Sequence, residues 1–142
     1  MLDYKTIEIL TDKPFQMVRI TNSVKDFCTA SGITNGLVFV VTSHTTTAIT
    51  VNEGLDCLES DIEDLLRELV ADDKPYSHAH WLPTYGRTSA NATGHLRAMI
   101  VGNHCVFPIH DGKLQFGMAQ EIYLCEFDGP QARTISLQVI GE

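Results

Sequence analysis

No uninterrupted apolar run in the sequence approaches ~18 residues, so nothing in it is built to cross a bilayer as a helix. Bases are scarce: ten Lys and Arg stand against eighteen Asp and Glu, a net charge of −8. Sequence-independent binding to nucleic-acid backbones draws on clustered cations and is not expected. Paired cysteine spacing is also missing. The four cysteines stand at 28, 57, 105 and 125 with no CxxC, which suits neither a disulfide scaffold nor a Cys-based zinc site. Buried free thiols and a reducing cytoplasm are the resulting expectations. Residues 1–6 lack the basic and apolar regions of a signal peptide. A Walker motif and a GxGxxG loop are absent, so no nucleotide-cradling loop is expected.

What is present is globular. The 142 residues are 44% apolar and 20% charged, enough for one domain (1–142) that folds without a disulfide or metal staple. Strands are expected over 2–10 and 15–20, followed by a short helix that ends near Gly32. Residues 37–41 form a continuous apolar run and read as a buried strand. Residues 43–53 are β-branched; if they form one regular strand, His44, Thr46, Thr50 and Asn52 share a face that lines a cavity or meets solvent. The strongest helix is 56–70, with Leu58, Ile62, Leu65, Leu66 and Leu69 as its stripe and Asp56 with Glu59 as a capping box. Its acids read as a solvated face, with Glu63 paired to Arg67 at i,i+4. A long loop spans 71–90, and a second helix 91–101 turns Ala92, Leu96, Met99 and Ile100 inward. Asp111-Gly112 marks a two-residue hairpin turn between 106–109 and 114–116. Strands at 122–127 and 133–140 close the chain. The mixture predicts an α+β fold, with helices on one side of a largely antiparallel sheet.

Histidine is the unusual count, with six, at 44, 78, 80, 95, 104 and 110. No short zinc signature joins them. His44 ends a buried strand, His78 and His80 lie in the long loop, and His95 lies at the edge of a helix stripe. Three imidazoles from strand, loop and helix would make an open-sided metal site; alternatively these are ordinary, partly buried histidines. Oxyanion capacity is the second feature. Thr45, Thr46 and Thr47 offer hydroxyls, and Arg133 shares the strand parity of inward Ile135, Leu137 and Val139. An inward arginine needs an anionic partner. Either Glu126 or Asp128 supplies it, or a bound phosphate does, and the phosphate is the expectation carried forward.

His44-Thr45-Thr46 through Asn52-Glu53 resembles the H-T-[ST] … N-E motif of the YjbQ/UPF0047 family. Tyr76-Ser77-His78, Asn91-Ala92-Thr93-Gly94-His95-Leu96 and Pro108 with Asp111-Gly112 follow in family order. Gly117-Met118-Ala119-Gln120 and Glu126-Phe127-Asp128-Gly129-Pro130-Gln131-Ala132-Arg133 resemble its closing blocks, G-[TS]-W-Q and E-x-D-G-P-R-x-R. The family Trp is Ala119 here, and the first Arg is Gln131. The resemblance implies a compact α+β homotrimer with secondary thiamine-phosphate synthase activity, which joins a pyrimidine diphosphate to a thiazole phosphate and releases pyrophosphate. The three recurrent histidines of the family fall on His44, His78 and His95, the set whose contexts lead to the expectation of a divalent metal, zinc. The roles that go with it are proton exchange or positioning by Asn52 and Glu53, and an anion hold by Thr45, Thr46, Gln120 and Arg133. A metal- and anion-binding trimer without turnover is the alternative. A phosphorylated small molecule is the expected partner in either case.

Overall fold

A computed structural model describes residues 1–79, 81–82, 86–87 and 90–142. Strands β1 (Leu2–Leu10), β3 (Gly36–Thr42), β7 (His104–His110), β8 (Lys113–Leu114) and β10 (Ala132–Gly141) form a five-stranded sheet in the order β1-β10-β3-β7-β8. Strands β2 (Gln16–Arg19), β4 (Thr47–Glu53) and β9 (Gln120–Glu126) form a three-stranded sheet with β9 in the middle. A short pair, β5 (Trp81–Leu82) and β6 (Gly86–Arg87), stands apart, and every strand pair is antiparallel.

The two larger sheets pack face to face. Val38 and Val40 of β3, Phe107 and Ile109 of β7, and Ile135, Leu137 and Val139 of β10 meet Ile49, Ile122 and Leu124 of the smaller sheet. Helix α1 (Thr21–Ser31) adds Val24, Phe27 and Cys28 to this core and ends on Gly32 at φ 72°. Because side chains alternate along a strand, the next residues of β9 point the other way. Tyr123 and Cys125, with Ala48 of β4, build a second core against Leu66 of α2 (Asp56–Leu69) and Ala98 of α3 (Ala92–Val101). The three-stranded sheet is therefore buried on both faces. The expected α+β class and antiparallel pairing hold, but two stacked sheets replace the single sheet, and only α2 and α3 share the side expected of all helices.

Local corrections follow from packing. Residues 43–46 are a turn rather than the start of a strand. Leu55 caps α2 without a side-chain bond, so there is no capping box; Asp56 and Glu59 both accept hydrogen bonds from Arg19. The Arg67–Glu63 pair forms as expected at 2.9 Å. Helix α3 turns Ala92, Gly94, Arg97 and Ala98 inward, while Met99 is 73% exposed and Ile100 is exposed as well. Small side chains let this helix approach β4 closely. Asp111 and Gly112 take φ 49° and 71°, the pair of positive values that a type I′ hairpin requires.

Candidate functional site

Four residues connect β3 to β4 and carry the chain from one sheet to the other. The buried threonines at the two strand ends fix this turn. Thr42 and Thr47 hydroxyls share a 2.7 Å hydrogen bond, the Thr47 hydroxyl donates to the His44 carbonyl, and the His44 amide donates to Thr42 Oγ1. His44 is half-buried, and its Nε2 accepts a 2.9 Å hydrogen bond from the Thr134 backbone N–H. Thr134 lies in β10 just beyond the Thr42–Ile135 pairing, so the imidazole takes up an amide that β3 no longer reaches.

Helix α3 packs over this turn. A Cβ on Gly94 would lie 3.0 Å from the Phe127 carbonyl oxygen and 3.3 Å from Thr46 Cγ2, so glycine permits the close approach. One residue later, His95 faces two cavities. One, of about 340 Å³, is lined by Ser43, His44, Thr45, Met99 and Asn103. The other, about 240 Å³ and more apolar, lies between α3 and a 3-10 turn at Ser77–Ala79, with Tyr76, His78, Ala92 and Leu96. The His78 and His95 rings are 4.8 Å apart, tilted by 56°. The fold thus gathers the three histidines singled out in the sequence around one end of the smaller sheet. His80 lies outside the described residues; exposed His104 and His110 bond to Asn103 and Asn35.

The other expected site residues divide. Exposed Thr45 lines the larger cavity, whereas Thr46 is buried and bonded to Arg133. Asn52, Glu53 and Gln120 do not join the histidines within one chain. Glu53 pairs with Gln120 at one end of β4, and Thr47 pairs with Glu126 at the other. Six residues of strand separate those ends by roughly 20 Å. Asn52 bonds to the Glu53 amide, and Gln120 to the Gly117 amide.

Arg133 is 4% exposed, and its partner is an acid of the chain rather than the expected phosphate. Its Nε and Nη2 donate to the two oxygens of fully buried Glu126 at 2.9 and 2.6 Å, and Nη2 also reaches Thr46. Thr11 Oγ1 and the Asp128 amide complete the carboxylate's shell. Burial pushes the Glu126 pKa up, but the hydrogen bonds from Arg133, Thr11 and Asp128 outweigh it, and the net value is lowered. A carboxylate with no solvent contact cannot stay charged without a cation, so Glu126 claims the arginine first. Gln131, where the family has arginine, donates to the Asp128 carbonyl at 2.7 Å.

Sequence reasoning missed Arg97. It is buried, donates to the Val70 carbonyl and to Asp72, and lowers the Asp72 pKa chiefly through that bond. Its Nε finds no partner among the described residues. The available signal was its place between Gly94 and Ala98 on one helix face. Tyr123 was missed too: wholly buried on β9, its hydroxyl donates to Glu59.

The expected zinc centre does not fit the residues as they stand. Among the described residues no three His, Cys, Asp or Glu side chains converge to hold an ion. His78 and His95 meet, but His44 points its Nε2 at an amide N–H.

The UPF0047 YjbQ-like family profile matches residues 5–142. A UPF0047 protein of Archaeoglobus fulgidus is 37% identical, covering 94% of this chain and 98% of its own. YugU of Bacillus subtilis, also a UPF0047 protein, is 36% identical over 96% and 98%. Among solved structures, a YbjQ-like protein of unknown function from Sulfolobus solfataricus superposes with a TM-score of 0.91 at 33% identity, over 100% of this chain and 99% of that one. A hypothetical protein from Aeropyrum pernix gives 0.89 at 33% identity, over 99% of both chains. With its motifs in order, its fold shared and its whole length matched, the chain belongs to the YjbQ/UPF0047 family.

Proposed function

We propose that the chain is a small-molecule transferase of the thiamine-phosphate synthase type, working as a homotrimer on phosphorylated substrates. The observation that carries this reading is the pair of cavities that share His95, one apolar and one lined by imidazole and hydroxyl groups. A flat heteroaromatic ring suits the cleft of Tyr76, Ala92 and Leu96, and an oxygen-rich leaving group suits the cavity of His44 and Thr45. In the reaction, a bond forms between the thiazole nitrogen and the pyrimidine's methylene carbon. The carbon–oxygen bond to pyrophosphate breaks, and the leaving group carries away the electron pair. Donors aimed at that leaving oxygen stabilise the developing charge. His95, at the junction of the cavities, is the residue placed to protonate or bind it.

Trimer assembly rests on a separate feature. The outer face of the five-stranded sheet leaves Leu2, Tyr4, Leu37, Val106 and Ile140 exposed, and β1 presents a nine-residue free edge. Exposed apolar patches and long edges of this kind are usually covered by a partner.

Pyrophosphate release from a pyrimidine diphosphate in the presence of a thiazole phosphate tests the reading. His95→Ala is expected to lower turnover by roughly 10². Ligand binding without product would favour the binding module instead, a reading supported by Arg133 being buried on Glu126 and by the side-chain amide of exposed Gln131 being bonded to Asp128.

A further inference from the structure

The hydrogen bond from Thr134 to His44 fixes more than a ring orientation. A backbone N–H only donates, so Nε2 of His44 must be the acceptor and carries no proton. The proton of the neutral ring therefore sits on Nδ1. A histidine that ligates a metal donates its second N–H to a carbonyl or carboxylate. His44 has the opposite polarity. Its free lone pair is already spent on an amide, and a metal at Nδ1 would require an imidazole stripped of both protons. Thr134 is not among the residues that line the larger cavity, whereas His44 and Thr45 are. With Nε2 taken by the amide, Nδ1 is the ring nitrogen left to meet a ligand there, and it offers a proton.

We infer that His44 is an Nδ1–H donor to an oxyanion bound in the Ser43–Thr45 cavity, and not a ligand of any metal. The inference rests on the anion-handling reading above and gives one residue of that site a different job. Three features make the donor suited to this work. The turn is locked by the Thr42–Thr47 pair, so the ring loses little freedom on binding. The Thr134 amide holds the tautomer without help from a charged group. The exposed Thr45 hydroxyl beside it supplies a second donor to the same ligand.

The test uses the full-length protein with inorganic pyrophosphate and zinc as separate probes. Long-range ¹H–¹⁵N spectra of His44 are expected to show a protonated Nδ1 and a bare Nε2, unchanged by excess zinc. A proton on Nε2, or loss of the Nδ1 proton when zinc is added, overturns the inference. In calorimetric titrations, His44→Asn places an amide N–H near the position of Nδ1 and should keep pyrophosphate affinity within about threefold, while His44→Phe should weaken it about tenfold or more, the loss of one hydrogen bond to a charged group. Equal affinity in wild type and His44→Phe overturns the inference alone. Failure of wild-type protein to bind pyrophosphate overturns both it and the transferase reading. Circular dichroism of each variant separates a folding defect from lost binding, and a His44→Asn variant that folds but binds as poorly as His44→Phe also counts against the donor role.

Discussion

Glu126 depends on Arg133 more than Arg133 depends on Glu126, because the carboxylate has no route to solvent. Arg133→Met would strand a buried charge and is expected to cost about 3–5 kcal/mol of stability near neutral pH. Urea denaturation measures this. The sign with pH follows from the lowered Glu126 pKa. Stability from this pair is complete above the ordinary carboxylate value of 4.5 and drains away as acid protonates the folded state. The gap between wild type and variant should therefore narrow on acidification, and a gap that stays constant would separate the pair from the acid transition. Pyrophosphate affinity should be nearly unchanged by Arg133→Met, since the arginine's task is internal. The thiols offer a second check at this scale. Burial pushes Cys125 up to about 12 and Cys28 and Cys105 up to about 11, while Cys57 is exposed on α2. Mass spectrometry after brief alkylation at mildly alkaline pH should find the label on Cys57. Fast labelling of Cys125 would mean that the second core opens readily.

At the scale of elements, α3 is the piece that sets the candidate site, and Gly94 sets α3. Alanine there gains helix propensity, up to ~1 kcal/mol. Its Cβ would press on a backbone carbonyl and on buried Thr46, neither of which can turn aside. Gly94→Ala is expected to lose about 1–3 kcal/mol net in urea melts, and to move His95 away from the turn. An unchanged or raised stability would show that the helix sits more loosely than its contacts imply. The elements themselves were largely legible. Alternation gave β1 at 2–10, the positive-φ pair Asp111-Gly112 gave the β7–β8 turn, and the Leu58-to-Leu69 spacing gave α2. Failures occurred where tertiary contacts outweigh local preference. The β-branched run 43–46 bends because the chain changes sheets there, and α3 rotates because small residues pack closer than Leu96 or Met99 would. The site was legible as a set of histidines, since strand end, loop and helix edge are readable contexts. Its polarity was not, because the partner of His44 is an amide ninety residues away.

Over the whole molecule, periodicity indicates which residues are inward but not how many layers receive them. Ile122 and Tyr123 are both wholly buried, yet they belong to different cores. A run buried on both faces carries no alternation to mark this. The same limit hides the outer face of the larger sheet, whose apolar residues look like core in sequence. Leu37→Lys combined with Val106→Lys should leave the inner cores intact and shift light-scattering mass toward 15.7 kDa, the mass of one chain. A native mass near that value in the unmodified protein would sink the trimer. The sheet order carries one more consequence, for the order of events during synthesis. Among the described residues β1 sits at an edge and pairs with β10 alone, Leu2 opposite Ile140. At ~5–20 residues per second, the first strand leaves the ribosome on the order of ten seconds before its partner exists. Through that interval β1 has no strand to pair with, so it is the segment a nascent-chain chaperone would meet, and the larger sheet cannot close on this side until residues 132–141 have emerged.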